Sequence, residues 1–504
     1  MKNIEQMERI IQYMEAGFPI LYINTYEEKN TMEMLRETAV RITGRKKIIE
    51  WNLTTGYSEY LLNERKYQVP PQNCTFTQVM QILSAEDYED SLFIIRDISS
   101  LLDSPEVVAY LKELSIRIGT DIESNIILLS AVVKIPKELE NFITILDMGY
   151  PSEEEIEKLI QEFCSEQGTK AEESLIHEMA VTFKGLTESE VIGILSLAMS
   201  DDGKLGKNDM SLVFEQKQQK IRKSGIMDMI PLKEKMEDIG GLENLKTWLG
   251  RKATVMKDLR KAEEFGVSAP KGVLIAGLPG CGKSLTAKAA ASLFQIPLLR
   301  MDMGRLMGKY VGESEENLRK ALALAEAISP CVLWVDELEK AFAGIGGSGG
   351  GAEVTTRLFG NFLTWLQEKD APVFVVATAN NVSKLPPEFL RKGRFDEIYY
   401  VGLPKEKERK QIFNIHIKKR RPKELHSIDL DRLAQATEGY CGADIESVVA
   451  DAVEEAFVKG RDSVKTEDFL AAIRNTNSLS DTMKESLKEM EETYKKNHFR
   501  KASL

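Results

Sequence analysis

The chain has 504 residues, 43% of them hydrophobic, and its 67 Lys and Arg against 79 Asp and Glu leave a formal charge of −12. That length exceeds what one hydrophobic core organises and points to about two to four domains. The acidic balance argues against a protein that coats nucleic acid nonspecifically, and a local basic groove is all it leaves open.

No apolar run reaches the roughly eighteen residues of a membrane span, and the start MKNIEQMERI is a mixed amphipathic helix, not a signal peptide. The expected location is the cytoplasm, or the stroma for a plastid-encoded chain. Cys74, Cys164, Cys281, Cys331 and Cys441 are odd in number, scattered and never in C-x-x-C. They indicate neither a disulfide frame nor a zinc site. The histidines form no H-E-x-x-H, which argues against a zinc protease.

In chain order, residues 1–18 read as a helix, followed by a buried strand at 19–24, a helix near 27–42 and a strand at 47–53. A polar turn region with Pro70 and Pro71 leads to a helix at 75–85 and a strand at 91–97. A helix at 105–118 and strands at 125–130 and near 143–146 complete the series. Strands alternating with helices predict a parallel, doubly wound α/β sheet over 1–150. Residues 151–200 turn purely helical, and 201–235 read as a polar linker. The second half is predicted to hold an α/β core over 236–404, a helical lid over 405–477 and a charged helical tail over 478–504.

The second half repeats the order of the first. ILDMGYP, Ile145 to Pro151, matches IYYVGLP, Ile398 to Pro404; GLTESEV at Gly185 faces GYCGADI at Gly439; IPKEL at Ile135 matches LPPEF at Leu385. Matches in the same order at similar spacing favour two copies of one unit.

Only the second copy carries recognisable chemistry. Gly277-Leu278-Pro279-Gly280-Cys281-Gly282-Lys283-Ser284 fits G-x-x-x-x-G-K-[ST] at every fixed position, after the apolar run Gly272 to Ala276 and before a helix that begins with Leu285. The glycines let backbone N–H groups face a triphosphate at a helix N-terminus. Lys283 would neutralise phosphate charge, and the Ser284 hydroxyl would ligate Mg²⁺. Downstream, Cys331 to Val335 is an apolar strand ending in Asp336 and Glu337. Asp336 would hold Mg²⁺ through its water shell and Glu337 would orient and deprotonate the attacking water. In the first copy there is no glycine between Pro19 and Thr43, and the carboxylate position reads Arg96-Asp97-Ile98. That copy is expected to be degenerate and non-hydrolysing, with assembly or recruitment as its task.

With these landmarks in order from 236 to about 475, the chain resembles an AAA ATPase. The strings MGKYVGESE and SPCVLWVDELEKAF, with the degenerate first domain, narrow the resemblance to a little-characterised subfamily of plastid, cyanobacterial and other bacterial open reading frames. The resemblance implies ATP and Mg²⁺ as cofactors and a role for each remaining landmark. Asn380 resembles the sensor-1 residue between water and γ-phosphate. Arg391 and Arg394, in Arg391-Lys392-Gly393-Arg394-Phe395-Asp396, resemble arginine fingers that reach a neighbouring subunit's γ-phosphate. Asp238-Ile239-Gly240 resembles the adenine-edge segment and His416 the lid histidine beside the nucleoside, with a lid-surface histidine as its plain alternative. Gly442 and Ala443 stand at sensor 2, with alanine where many relatives have arginine.

Lys309-Tyr310-Val311 falls where AAA unfoldases place an aromatic pore loop; packing inside its own subunit, or tracking of single-stranded nucleic acid, are the other uses of such a tyrosine. Gly344 to Gly351 reads as a second flexible loop. The implied function is ATP hydrolysis in a homo-oligomeric, hexameric ring that remodels a protein partner. A nucleic-acid-associated ATPase, or an ATP-gated switch recruiting partners through the degenerate domain, are the alternatives.

Overall fold

Apolar runs in this chain are short and bounded by polar turns, so they fold as strands buried on both faces by the helices between them. The structure, a computed structural model, describes residues 2–42, 47–62, 64–68, 74–83, 91–118, 124–131, 133–200, 203–223, 225–306, 313–341, 350–391, 393–478, 480, 487, 490, 492–494 and 496–504. The chain divides into two units, Met1–Leu205 and Gly206–Leu504.

The first unit is built on β1 (Ile20–Asn24), β2 (Lys47–Asn52), β3 (Gly56–Leu61), β4 (Lys66–Gln68), β5 (Ser91–Arg96), β6 (Asn125–Ser130) and β7 (Ile143–Asp147). Their order across the sheet is β4-β3-β2-β5-β6-β1-β7, parallel from β2 to β7. Alternate side chains enter different cores: Tyr22, Ile49, Phe93 and Leu128 face one layer, Leu21, Ile48, Leu92 and Ile127 the other. The helices Glu153–Glu166, Glu173–Phe183 and Glu188–Ala198 follow, the first and third started by capping boxes from Ser152 with Glu155 and Thr187 with Glu190.

The region read as a polar turn after β2 forms β3 and β4 instead. Asn52 Oδ1 accepts the N–H groups of Thr54 at 3.0 Å and Thr55 at 2.8 Å, which reverses the chain and pairs Trp51 with Tyr57. β4, Lys66-Tyr67-Gln68, is an exposed edge whose lysine suits that position, so it carries no apolar signal.

The second unit contains β8 (Met227–Ile230), β9 (Gly272–Gly277), β10 (Leu298–Met301), β11 (Cys331–Val335), β12 (Val373–Ala379), β13 (Glu397–Val401) and β14 (Arg500–Lys501). The sheet order is β14-β13-β9-β12-β11-β10-β8. Its central run, β10-β11-β12-β9-β13, repeats the run β2-β5-β6-β1-β7 of the first unit strand for strand. The lid helices Glu406–Arg420, Leu430–Ala436, Gly442–Val458 and Thr466–Asn475 close on a core of their own around Phe413, Leu433, Val448 and Phe469.

Two further expectations need correction. The segment 201–235, read as a linker, contains the helix Asp209–Lys223 and β8, which pairs antiparallel with β10, Met227 opposite Met301. Its few apolar anchors, Val213, Ile221, Met227 and Met229, are buried among charged neighbours that hide the pattern. The tail 478–504, read as helical, returns to the sheet as β14. Ala502 N–H donates to Tyr400 O at 2.9 Å, and Tyr494 stacks on Tyr400 with ring centroids 3.9 Å apart. A two-residue strand of Arg and Lys is invisible to periodicity, since backbone pairing alone makes it a strand.

Candidate active site

The phosphate loop follows from what β9 cannot do at its end. Gly280 sits at φ +73°, and a Cβ there would lie 2.7 Å from Cys441 Sγ and 3.0 Å from Ala443 Cβ, so only glycine lets the loop pass under the lid. The helix Lys283–Phe294 then starts with its N-terminus facing the loop. Lys283 is buried, and its Nζ donates to the carbonyls of Gly277 at 3.0 Å and Leu278 at 2.7 Å. Burial pulls its pKa below the ordinary lysine value, opposed by Cys281, Glu339, Asp336 and Glu337. A buried ammonium bonded to two loop carbonyls is suited to exchange them for phosphate oxygens.

The carboxylates meet the loop from β11. Ser284 Oγ lies 3.3 Å from Asp336 Oδ1, so the two side chains that could hold a divalent cation already touch. Thr378 on β12 joins them: its hydroxyl donates to Asp336 Oδ1 and accepts the Glu337 N–H at 3.0 Å. Glu337 has φ +51°, a left-handed backbone that a glutamate adopts only where its surroundings enforce it. Asn380 Nδ2 donates to its Oε1 at 3.2 Å, and Lys340 Nζ holds Oε2 at 2.6 Å. Glu339, buried, accepts the Asn380 N–H at 3.0 Å, and its Oε2 has no hydrogen-bond partner among the described residues.

Beside the loop is a cavity of about 250 Å³ between the α/β core and the lid. Asp238, Ile239 and Gly240 line one wall, Gly280, Cys281, Gly282 and Leu285 the floor, and His416, Gly442 and Ala443 the lid side. A Cβ on Gly240 would come 2.5 Å from Ile412 Cγ1, so this segment lies flush on the helix Glu406–Arg420. The Asp238 carboxylate is held below the usual range, first by the Lys235 N–H at 2.8 Å and also by the Lys419 ammonium at 3.0 Å. Burial lowers the His416 pKa, opposed by Glu446, whose Oε1 is 3.8 Å away.

Arg391 is exposed, Arg394 is tethered to the Glu388 carbonyl, and neither lines this cavity. Lys309, Tyr310 and Val311 lie outside the described residues, as do Gly344 to Gly349, whereas Gly350 and Gly351 begin the helix Gly350–Glu368. Thr378, Glu339, Lys340 and Ser503 of the cavity wall were not singled out from sequence. Thr378 had a signal, two places before Asn380 on a strand beside β11; Ser503 had none.

Ladder register locates the matching positions in the first unit. Ile145 pairs Tyr22, which pairs Leu128, which pairs Ile95; Ile398 pairs Leu274, which pairs Ala377, which pairs Val335. Arg96 therefore stands where Asp336 does, and Asp97 where Glu337 does, with the same left-handed backbone at φ +55°. The Arg96 guanidinium pairs with Glu28 at the start of the helix after β1, placing a protein cation at the end of β5. A pocket of about 60 Å³ past the ends of β1 and β7 is lined by Glu27, Glu155 and Glu188. Asn30 Nδ2 donates to Glu27 and Glu188, and Glu27 Oε1 accepts the Ser189 N–H at 3.0 Å. Carboxylates latched in this way disfavour a polyphosphate.

A parallel sheet of this order, a phosphate loop, strand-end carboxylates and a helical lid define a nucleotide-binding module of the AAA type. The chain belongs to the AAA ATPase family. The family model described as ATPase family associated with various cellular activities matches residues 273–403, and the AAA+ lid domain matches 427–471. The first half matches the SpoVK-like AAA ATPase N-terminal domain over 6–148 and second domain over 154–224.

Among its relatives, the uncharacterized AAA domain-containing protein ycf46 of Guillardia theta is 35% identical over 480 residues, 95% of this chain and 93% of that protein. The ycf46 protein of Pyropia yezoensis is 33% identical over the whole of both chains. Proteasome-activating nucleotidase of Saccharolobus solfataricus is 33% identical over 60% of this chain and 79% of its own length. No helix among the described residues is long and apolar enough to cross a membrane.

Proposed function

We propose that the second unit hydrolyses ATP to ADP and phosphate and that the energy drives a homo-oligomeric, hexameric ring which remodels a protein partner. The observation that carries the hydrolytic reading is the convergence of Ser284, Asp336, Glu337 and Asn380 beside the phosphate loop. Ser284 and Asp336 are the residues that would hold Mg²⁺, whose charge would offset that of the phosphate oxygens. Lys283 adds a cation at the loop, and the backbone N–H groups of the helix N-terminus orient the phosphate chain. Glu337, fixed between Asn380 and Lys340, takes the proton of the attacking water.

Arg391 and Arg394 act on the site of a neighbouring subunit; their position outside their own cavity is consistent with this. The remodelling reading draws on likeness to proteasome-activating nucleotidase and on Tyr310 as a gripping aromatic. Phosphate release and unfolding of a tagged protein are measured for wild type and Tyr310→Ala. Loss of unfolding with phosphate release kept supports the motor, and unfolding by the alanine variant at the wild-type rate counts against it.

A further inference from the structure

Cys281 and Cys441 touch across the seam between the phosphate loop and the lid. Cys281 lines the nucleotide cavity, whereas Cys441, the residue before the helix Gly442–Val458, is 2% exposed. Backbone contacts fix their approach: Ala443 N–H donates to Gly280 O at 3.0 Å, and the Cβ position of Gly280 is 2.7 Å from Cys441 Sγ. The two thiols interact across this seam, and neither is in a disulfide in this structure. No hydrolytic step uses either thiol.

We propose that Cys281 and Cys441 are a redox modification site, forming a reversible disulfide that ties the phosphate loop to the lid and arrests nucleotide exchange. The oxidant class is a small disulfide, RSSR. The Cys281 sulfur, reachable from the cavity, attacks one sulfur of RSSR; an S–S bond forms to the protein, the RS–SR bond breaks, and the departing thiolate leaves with the Cys281 proton as RSH. Cys441 then attacks the Cys281 sulfur and expels the second RSH, so two thiols and one disulfide become one disulfide and two thiols. The hydrogen bond between Cys281 and Cys441 lowers the Cys441 pKa against the effect of burial and raises that of Cys281. Cys441, held beside the loop by its contact with Gly280, is the resolving thiol.

The bond itself depends only on the two cysteines, while its effect rests on reading the cavity as the nucleotide site. A covalent tie between cavity floor and lid holds the two walls at one spacing and slows entry and release by at least about tenfold. A nucleotide seated over Cys281 shields it.

The test treats the full chain with glutathione disulfide, with and without ADP, followed by peptide mapping without reduction. The expected result is a Cys281–Cys441 linked peptide in wild type, less of it with ADP, release of labelled ADP slowed at least about tenfold, and recovery with dithiothreitol. Cys441→Ser, which keeps a capping side chain, gives only the Cys281 mixed disulfide; Cys441→Ala serves if the serine form misfolds. A wild-type protein that stops at the mixed disulfide, or links other cysteines instead, overturns the proposal. A linked form that exchanges ADP at the reduced rate refutes the arrest but keeps the bond, and linkage in a chain without ATPase activity separates this proposal from the hydrolytic reading.

Discussion

Asn380 Nδ2 donates to Glu337 Oε1 at 3.2 Å, so the residue at the end of β12 orients the carboxylate that follows β11. The bond makes Asn380 a positioning residue for Glu337. Asn380→Ala is expected to lower kcat by roughly 10²-fold while KM for ATP moves little, because only the aim of the base is lost. Steady-state phosphate release against ATP concentration checks this. A change confined to KM would place Asn380 in ground-state binding instead.

Gly280→Ala is expected to lose nucleotide affinity by more than tenfold. The left-handed backbone costs an alanine about 1–3 kcal/mol, and its methyl would press on Cys441 and Ala443, pushing the lid away from the loop. Binding of a fluorescent ATP analogue, with circular dichroism as a control for folding, measures it.

The first unit carries a pH signature. Burial raises the Glu188 pKa, helped by Glu27, Glu155 and Glu162 and opposed by Asn30. A carboxyl with a raised folded pKa binds more protons folded than unfolded. Its contribution is therefore fully present below the ordinary value of 4.5 and is lost as pH rises through the raised one. Glu188→Gln keeps an oxygen for Asn30 and removes the charge, so the unfolding midpoint of this unit rises by roughly 2 °C at neutral pH. In acid, below the ordinary glutamate value, the two proteins converge. A variant less stable than wild type at neutral pH would contradict the assignment.

If Arg394 acts on a neighbour, two inactive proteins complement. Arg394→Ala keeps an intact cavity and Lys283→Ala keeps its arginines, so mixed assemblies hold some interfaces with every part present. Recovered phosphate release in the mixture, absent from either protein alone, is expected. No recovery in assemblies shown to be mixed would place the arginines outside the reaction.

How far the sequence foretold this structure depends on what each part is made of. The phosphate loop and the Asp336-Glu337 pair were legible because glycines and adjacent carboxylates at a strand end are rare and chemically constrained. The common order of the two sheets was legible from the matched strings at Ile145 and Ile398. β4, β8 and β14 were not, since short edge strands take their geometry from a neighbour's backbone and carry charged side chains. Glu339 escaped notice because its place in D-E-L-E looks like surface, yet it is buried against the Asn380 N–H. The latch of Glu27, Asn30 and Glu188 joins residues more than 150 positions apart, and only the fold brings them together.

The central claim, one working site in the second unit and a closed counterpart in the first, is tested most directly by counting ATP bound and phosphate released per chain in a single turnover of wild type and Glu337→Gln. The account predicts one ATP per chain in both, with phosphate release by the variant slower by roughly 10²–10⁴-fold. Two ATP per chain, or release by Glu337→Gln at the wild-type rate, would contradict it.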